Sequence, residues 1–105
     1  MSRNKLPDEC SSLTEVRAEI DRIDHAIIGL IGERRDYVLA AARYKLSSEA
    51  VAAPERFAAM LKARREWAEA AGVNADVIEN LYRDLVEHFI AEERAHWEST
   101  DKEQA

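Results

Sequence analysis

Residues 13–45 read LTEVRAEIDRIDHAIIGLIGERRDYVLAAARYK, and this stretch decides the fold. Its apolar residues recur every three or four positions, which is the period of one helix face. Ser12 and Glu15 have the spacing of a capping box, with Ser12 as the N-cap. A single long helix is therefore predicted from Ser12 to about Lys45. Its apolar face comprises Leu13, Val16, Ile20, Ile23, Ile27, Leu30, Ile31, Val38, Ala41 and Ala42.

Two further helices are predicted downstream. Pro54 is a favoured first helical residue, and Gly72 is a natural stop for the helix that follows it. Asn74 then caps a third helix that continues to about residue 99. The small and polar residues 46–53 predict a mobile loop. The expected fold is all-α, with three helices in one domain over residues 1–105 and frayed ends at about 1–11 and 99–105.

The composition excludes several classes of protein. Only 3 Gly and 2 Pro are present, too few for the turns of an all-β fold. The single cysteine, Cys10, rules out a disulfide framework and suits the cytoplasm. No apolar run approaches the roughly 20 residues that a membrane span needs. The net charge of −6 argues against general binding of nucleic acid.

The length of the first predicted helix bears on the oligomeric state. About 34 residues form a rod of roughly 50 Å, whereas a compact chain of this size has a diameter of roughly 33 Å. The apolar face nevertheless continues along the whole rod. A second copy of the chain is the economical way to cover it, so an intertwined homodimer is predicted.

Charged residues interrupt the apolar faces. Arg34 and Lys45 lie on the face of the first helix, and Glu93 lies on the inward face of the third. Arg17 borders the same face near the start of the first helix. Buried charges are costly unless they are paired or bind a ligand. Two readings therefore stand: ion pairs between helices, such as Arg34–Glu93, or a pocket for an anionic ligand.

The spacing of the two arginines favours a shared pocket. Arg17 and Arg34 are separated by roughly 25 Å along the helix axis and by about 100° around it. One small ligand cannot reach both within a single chain. In an antiparallel dimer, Arg17 of one copy could approach Arg34 and Lys45 of the other. Two guanidinium groups and one ammonium group suit a compact dicarboxylate.

These residues resemble a known family. Val16-Arg17 with Ile20-Asp21, then Gly32-Glu33-Arg34-Arg35 and Tyr44-Lys45, are similar to the all-helical chorismate mutases. The resemblance covers roughly residues 9–97. The isochorismate-pyruvate lyase branch, which serves salicylate biosynthesis, is the most similar. The segments that indicate this branch are Asp8-Glu9-Cys10, Ser48-Glu49-Ala50, Ala53-Pro54-Glu55-Arg56 and Ile90-Ala91-Glu92.

The resemblance implies an intertwined three-helix homodimer without metal or cofactor. Its pericyclic reactions would convert isochorismate to salicylate and pyruvate, and chorismate to prephenate. Arg17 from the partner chain, Arg34 and Lys45 would hold the carboxylates and the ether oxygen of the substrate. Glu93 stands where the family usually has Gln, and an ionised Glu cannot donate a hydrogen bond. Lys45, Arg34 and Glu93 are the expected catalytic residues.

Other interpretations remain open at this level. The chain could be a dedicated chorismate mutase, a mutase of an amino-substituted chorismate, or a non-catalytic helical dimer. Glu93 and His96 also have the Glu-x-x-His spacing of di-iron helical bundles. That site would need a further inward Glu from each half, and the arginines on the apolar face would repel the metal.

Overall fold

The computed structural model describes residues 4–104, and the side chains of residues 4–100. Four α-helices are present: α1 (Leu13–Ala41), α2 (Ser48–Ala52), α3 (Pro54–Ala70) and α4 (Ala75–Gln104). Two single 3₁₀ turns accompany them, at Pro7–Glu9 and Ala42–Tyr44. No strand occurs within residues 4–104. The all-α class is confirmed, and α1, α3 and α4 are the three predicted helices.

The segment between the first two predicted helices differs from the prediction. It was expected to be a loop, but it contains α2, whose N-cap Ser47 accepts a hydrogen bond from the backbone N–H of Ala50 at 3.1 Å. Val51 on this short helix is buried. The α-helical part of the first helix ends at Ala41, and the 3₁₀ turn carries the chain on to Tyr44.

The helix ends have local chemical causes. The side chain of Asn74 accepts the N–H of Val77 at 3.1 Å, as expected for its predicted N-cap role. Ala71 caps the C-terminus of α3, and Gly72 follows with φ 76°. The N–H groups of Gly72 and Val73 then return to the carbonyls of Glu69 and Ala68, which satisfies the last turn.

The predicted frayed ends have a mixed outcome. Helix α4 continues to Gln104, beyond its predicted end near residue 99. Near the other terminus, the chain forms the turn Pro7–Glu9 before α1 begins. Residues 1–3 and 105 belong to the predicted frayed ends but lie outside the described residues. Within residues 4–104, no helix is long and apolar enough to cross a membrane.

The chain comprises two compact units, and the first ends at Asp36 within α1. At its start, Ser12 Oγ accepts the N–H of Glu15 at 3.1 Å, which confirms Ser12 as the N-cap. The predicted capping box would have Glu15 accept the N–H of the N-cap, Ser12. The Glu15 carboxylate instead accepts the N–H of Ser11 at 2.7 Å and forms an ion pair with Lys5 at 2.8 Å. The hydrogen bonds from Lys5 and Ser11 lower the pKa of Glu15 to about 2.

The second unit begins at Tyr37 and holds the buried core. Met60 and Leu61 of α3 pack with Val86 of α4, and Phe57, Tyr82 and Ile90 surround them. Helix α2 and the turn Ala42–Tyr44 also contact α4. Since Ala42 and Val51 are buried on either side of it, the segment that carries Lys45 is anchored at both ends.

The prediction of a single domain over residues 1–105 stays a prediction.

Candidate active site

Lys45 and Glu93 form an ion pair in the second unit. Lys45 follows the 3₁₀ turn in extended conformation, and Glu93 lies on the inward face of α4 with only 4% of its surface exposed. Lys45 Nζ is 3.1 Å from Glu93 Oε2. The pair lacks hydrogen-bond geometry, so this buried oxygen has no hydrogen-bond partner. The charges compensate each other, and Oε2 stays free to contact a donor or, once protonated, to become one.

The backbone of Lys45 is held as well as its side chain. Its N–H donates to the carbonyl of Ala42 at 3.1 Å. Its carbonyl accepts the indole N–H of Trp97 at 3.0 Å. Trp97 follows Glu93 by four residues, so both lie on one face of α4. Helix α4 therefore contacts Lys45 at two points, the ammonium group and the carbonyl oxygen.

A cavity of about 230 Å³ opens beside Lys45, and Glu93 is not among the residues that line it. The 3₁₀ turn and the residue after Lys45 form one wall, and the last turns of α4 form the other. The cavity can supply positive charge, hydrogen-bond donors and an apolar surface to a small ligand. Its lining consists of Ala42, Arg43, Lys45, Leu46, His96, Trp97 and Thr100.

The two predicted arginines lie on α1, in the first unit. Arg17 is exposed, and Arg34 is half-buried with its Nη1 atom buried and without a hydrogen-bond partner. Both belong to one continuous α-helix, so roughly 25 Å of helix separates them. A single chain therefore cannot bring these two residues to one small ligand.

The inward charge of Glu93 was predicted either to form an ion pair, for example with Arg34, or to line a pocket for an anionic ligand. In the structure Glu93 forms an ion pair with Lys45. Among the described residues of the single chain, no three or more His, Cys, Asp or Glu side chains are grouped so that they could hold a metal ion.

Trp97 is the site residue that the sequence analysis missed. Its indole N–H reaches a carbonyl 52 residues away in the sequence. The helical period indicates which face of the helix a residue occupies, but it does not indicate which partner the indole N–H of a tryptophan finds. The spacing Glu93-x-x-x-Trp97 was the available signal, because it places an indole one turn beyond an inward carboxylate.

The chain is similar to known proteins over most of its length. Residues 16–94 match the family model of chorismate mutase type II. An isochorismate pyruvate lyase from Pseudomonas aeruginosa is 45% identical over 96 residues, which are 91% of this chain and 95% of that protein.

Two further relatives are longer proteins. A T-protein of Haemophilus influenzae is 39% identical over 83 residues, which are 78% of this chain and 22% of the T-protein. A T-protein of Enterobacter agglomerans is 38% identical over 80 residues, which are 72% of this chain and 21% of that protein. The matched family model spans most of α1, all of α2 and α3, and α4 as far as Arg94. The chain belongs to the chorismate mutase type II family.

Proposed function

We propose that this protein is an isochorismate pyruvate lyase that also has chorismate mutase activity. The observation that carries the proposal is the 45% identity to a protein of that name over 95% of its length. The family match favours the mutase activity as well. Lys45, which pairs with Glu93 and lines a cavity of about 230 Å³, provides a place where a small anionic substrate can meet a fixed cation.

In the lyase reaction, the ether C–O bond of isochorismate breaks. The hydrogen on the hydroxyl-bearing ring carbon moves to the methylene carbon of the side chain. Pyruvate leaves, and the ring becomes aromatic as salicylate. The protein has to hold the substrate in a reactive conformation and to stabilise negative charge on the ether oxygen.

Lys45 is the residue proposed to stabilise that charge. Its ammonium group is only partly exposed, and its backbone N–H and carbonyl are both hydrogen-bonded, so little reorganisation is needed during the reaction. Glu93 is proposed to contact the ether oxygen in its protonated form. Arg34 is proposed to bind a substrate carboxylate, and its buried, unpartnered Nη1 is suited to an acceptor.

The proposed site needs a second copy of the chain. Arg17 is too far along α1 from Arg34 to serve the same ligand, so it would come from the partner in an intertwined homodimer. The apolar face of α1 supports this arrangement, because large apolar side chains on it remain exposed in the single chain. A second copy would cover them. They are Leu13, Val16, Ile20, Ile23, Ile27 and Leu30.

Incubation of the purified protein with isochorismate, and separately with chorismate, tests the proposal. Salicylate and pyruvate from the first substrate establish the lyase, and prephenate from the second establishes the mutase. Lys45→Ala should lose both activities, whereas Lys62→Ala, which removes an exposed lysine of α3, should keep them.

Other products would point to the alternatives. Turnover of chorismate alone would identify a dedicated mutase, and turnover of an amino-substituted chorismate would identify a mutase of that substrate. Binding of a chorismate-like dicarboxylate without turnover of any of these would overturn the proposal and indicate a non-catalytic dimer. A role in salicylate biosynthesis and a cytoplasmic location belong to the same proposal.

A further inference from the structure

The carbonyl of Lys45 is the feature from which a further inference starts. Lys45 lies between the turn Ala42–Tyr44 and α2, outside both helical segments. Its carbonyl therefore has no acceptor role in a regular helix. The indole N–H of Trp97 supplies the donor at 3.0 Å.

The same helix also contacts the far end of the Lys45 side chain. Glu93 Oε2 is 3.1 Å from Lys45 Nζ, and Glu93 precedes Trp97 by one helical turn. The distance between these two positions on α4 is fixed by the helix. The carbonyl and the ammonium group of Lys45 are thus both held by the same rigid helix, α4.

We infer that Trp97 is a positioning residue, whose indole N–H fixes the Lys45 carbonyl and thereby the place of the Lys45 ammonium group beside Glu93. The inference rests on the proposed function in so far as Lys45 acts on the ether oxygen. Trp97 acts through Lys45 and transfers no proton to substrate. Loss of its N–H leaves the Lys45 carbonyl without a donor and lets the residue move, and displacements of about 1 Å can cost up to 10²-fold in rate.

Replacement of Trp97 by benzothienylalanine tests the inference in the full-length protein. This amino acid keeps the shape of the bicyclic ring and replaces the N–H by sulfur. We expect kcat to fall about 2- to 13-fold, which corresponds to one net hydrogen bond of about 0.5–1.5 kcal/mol, with KM changed less than about 2-fold. Trp97→Phe should lower kcat at least as much. Trp67→Phe, at a tryptophan of α3 that is 60% exposed, is the matched control and should leave both constants unchanged.

A double-mutant cycle separates positioning from general stabilisation. In a Lys45→Ala background no ammonium group remains to be positioned, so the Trp97 replacement should have no further effect on residual kcat. An equal loss in both backgrounds would overturn the inference, because it would assign Trp97 a structural role. An unchanged kcat in the single replacement would overturn it as well.

A spectroscopic readout keeps the inference distinguishable from the proposed function. The side-chain ¹⁵N signal of Lys45 is identified by its loss in Lys45→Ala. It should broaden when Trp97 is replaced and stay unchanged in Trp67→Phe. If the wild-type protein turned over neither substrate while this signal depended on Trp97, the proposed function would fail and the positioning role would stand. If the side-chain ¹⁵N signal of Lys45 were the same with and without the indole N–H, the positioning role would be overturned even in an active enzyme.

Discussion

Glu93 bears on the stability of the site through its ion pair with Lys45, and on its chemistry through the contact proposed with the ether oxygen. A carboxylate with 4% exposure is costly to bury, and the Lys45 ammonium group compensates its charge. Removal of one partner leaves the other charge uncompensated. A substitution at Lys45 is therefore also measured in the Glu93→Gln background, so that lost catalysis is separated from lost stability.

Lys45→Ala should lower kcat at least about 10²-fold, the loss typical of one oxyanion-type donor, while KM changes less. The physical reason is that the ammonium group meets more negative charge on the ether oxygen in the transition state than in the ground state. Steady-state kinetics with isochorismate, in the wild-type and the Glu93→Gln backgrounds, measure the effect. A variant that loses only KM would place Lys45 among the groups that bind ground and transition state equally.

Replacement of Glu93 by Gln should raise the activity near neutral pH. An ionised Glu93 cannot donate a hydrogen bond to the ether oxygen, and it opposes the negative charge of the substrate. Glu93→Gln keeps the shape of the side chain, makes the donor permanent and removes that charge. We therefore expect kcat and kcat/KM to increase in this variant.

Steady-state kinetics of both proteins with isochorismate at about pH 7 check this prediction. Glu92→Gln, on the neighbouring residue of α4, is a suitable control because it removes a carboxylate that is not expected at the ether oxygen. Equal or lower constants in Glu93→Gln would show that Glu93 is not the donor and serves only as the partner of Lys45.

At the scale of elements, the long helices were predictable and the short one was not. Periodicity located α1, α3 and α4, because each is long enough for its apolar face to repeat. Helix α2 spans only Ser48–Ala52, less than two turns, so no period can be read from it. Its one sequence signal is Ser47, whose hydroxyl accepts the N–H of Ala50. Its stability comes from the burial of Val51, which is a tertiary effect.

The site was predictable to the same extent. The inward position of Glu93 follows from the helical repeat and is found in the structure. Lys45 was expected on the face of the first helix, but it follows the turn Ala42–Tyr44 in extended conformation. Their mutual contact was not predictable, because it joins residues 48 positions apart in the sequence and depends on how the turn Ala42–Tyr44 packs on α4. The Trp97 hydrogen bond escaped prediction for the same reason.

The start of α1 should lose stability in acid. The pKa of Glu15 is about 2 in the folded chain, lowered first by the hydrogen bond from Lys5 and then by those from Ser11. An unfolded Glu titrates near about 4.3. The ionised form is thus favoured by folding, and its contribution is present above about pH 4.3 and is lost as the pH falls through 2.

The amide signal of Ser11, which donates to Glu15, reports this titration by NMR. We expect a midpoint at about 2 in the wild type, a higher midpoint in Lys5→Met, and no titration of this kind in Glu15→Gln. Glu33→Gln removes an exposed carboxylate elsewhere on α1 and should leave the midpoint unchanged. A wild-type midpoint at the ordinary value of Glu would contradict the contacts of Lys5 and Ser11.

At the scale of the whole molecule, α1 is the part that one chain does not explain. Its 29 residues form a rod of about 44 Å, and the apolar side chains along it are exposed in the single chain. Contiguous apolar patches of this kind mark interaction sites in soluble proteins. Length and periodicity alone thus led to the prediction of a dimer, and the exposed face of α1 supports that proposal.

An intertwined dimer with shared sites predicts complementation between two inactive variants. Arg17→Ala and Arg34→Ala should each be inactive as homodimers, because every site lacks one arginine. When the two chains are unfolded and refolded together in equal amounts, about half of the dimers are heterodimers. Each heterodimer combines the intact Arg34 of one chain with the intact Arg17 of the other in one site, while its second site lacks both. About a quarter of the wild-type activity should return, measured against wild type refolded in the same way.

Light scattering should give twice the chain mass of 11.9 kDa for all samples. A mixture that forms dimers and stays inactive would place both arginines of a site on one chain, or outside the site, and would contradict the shared pocket.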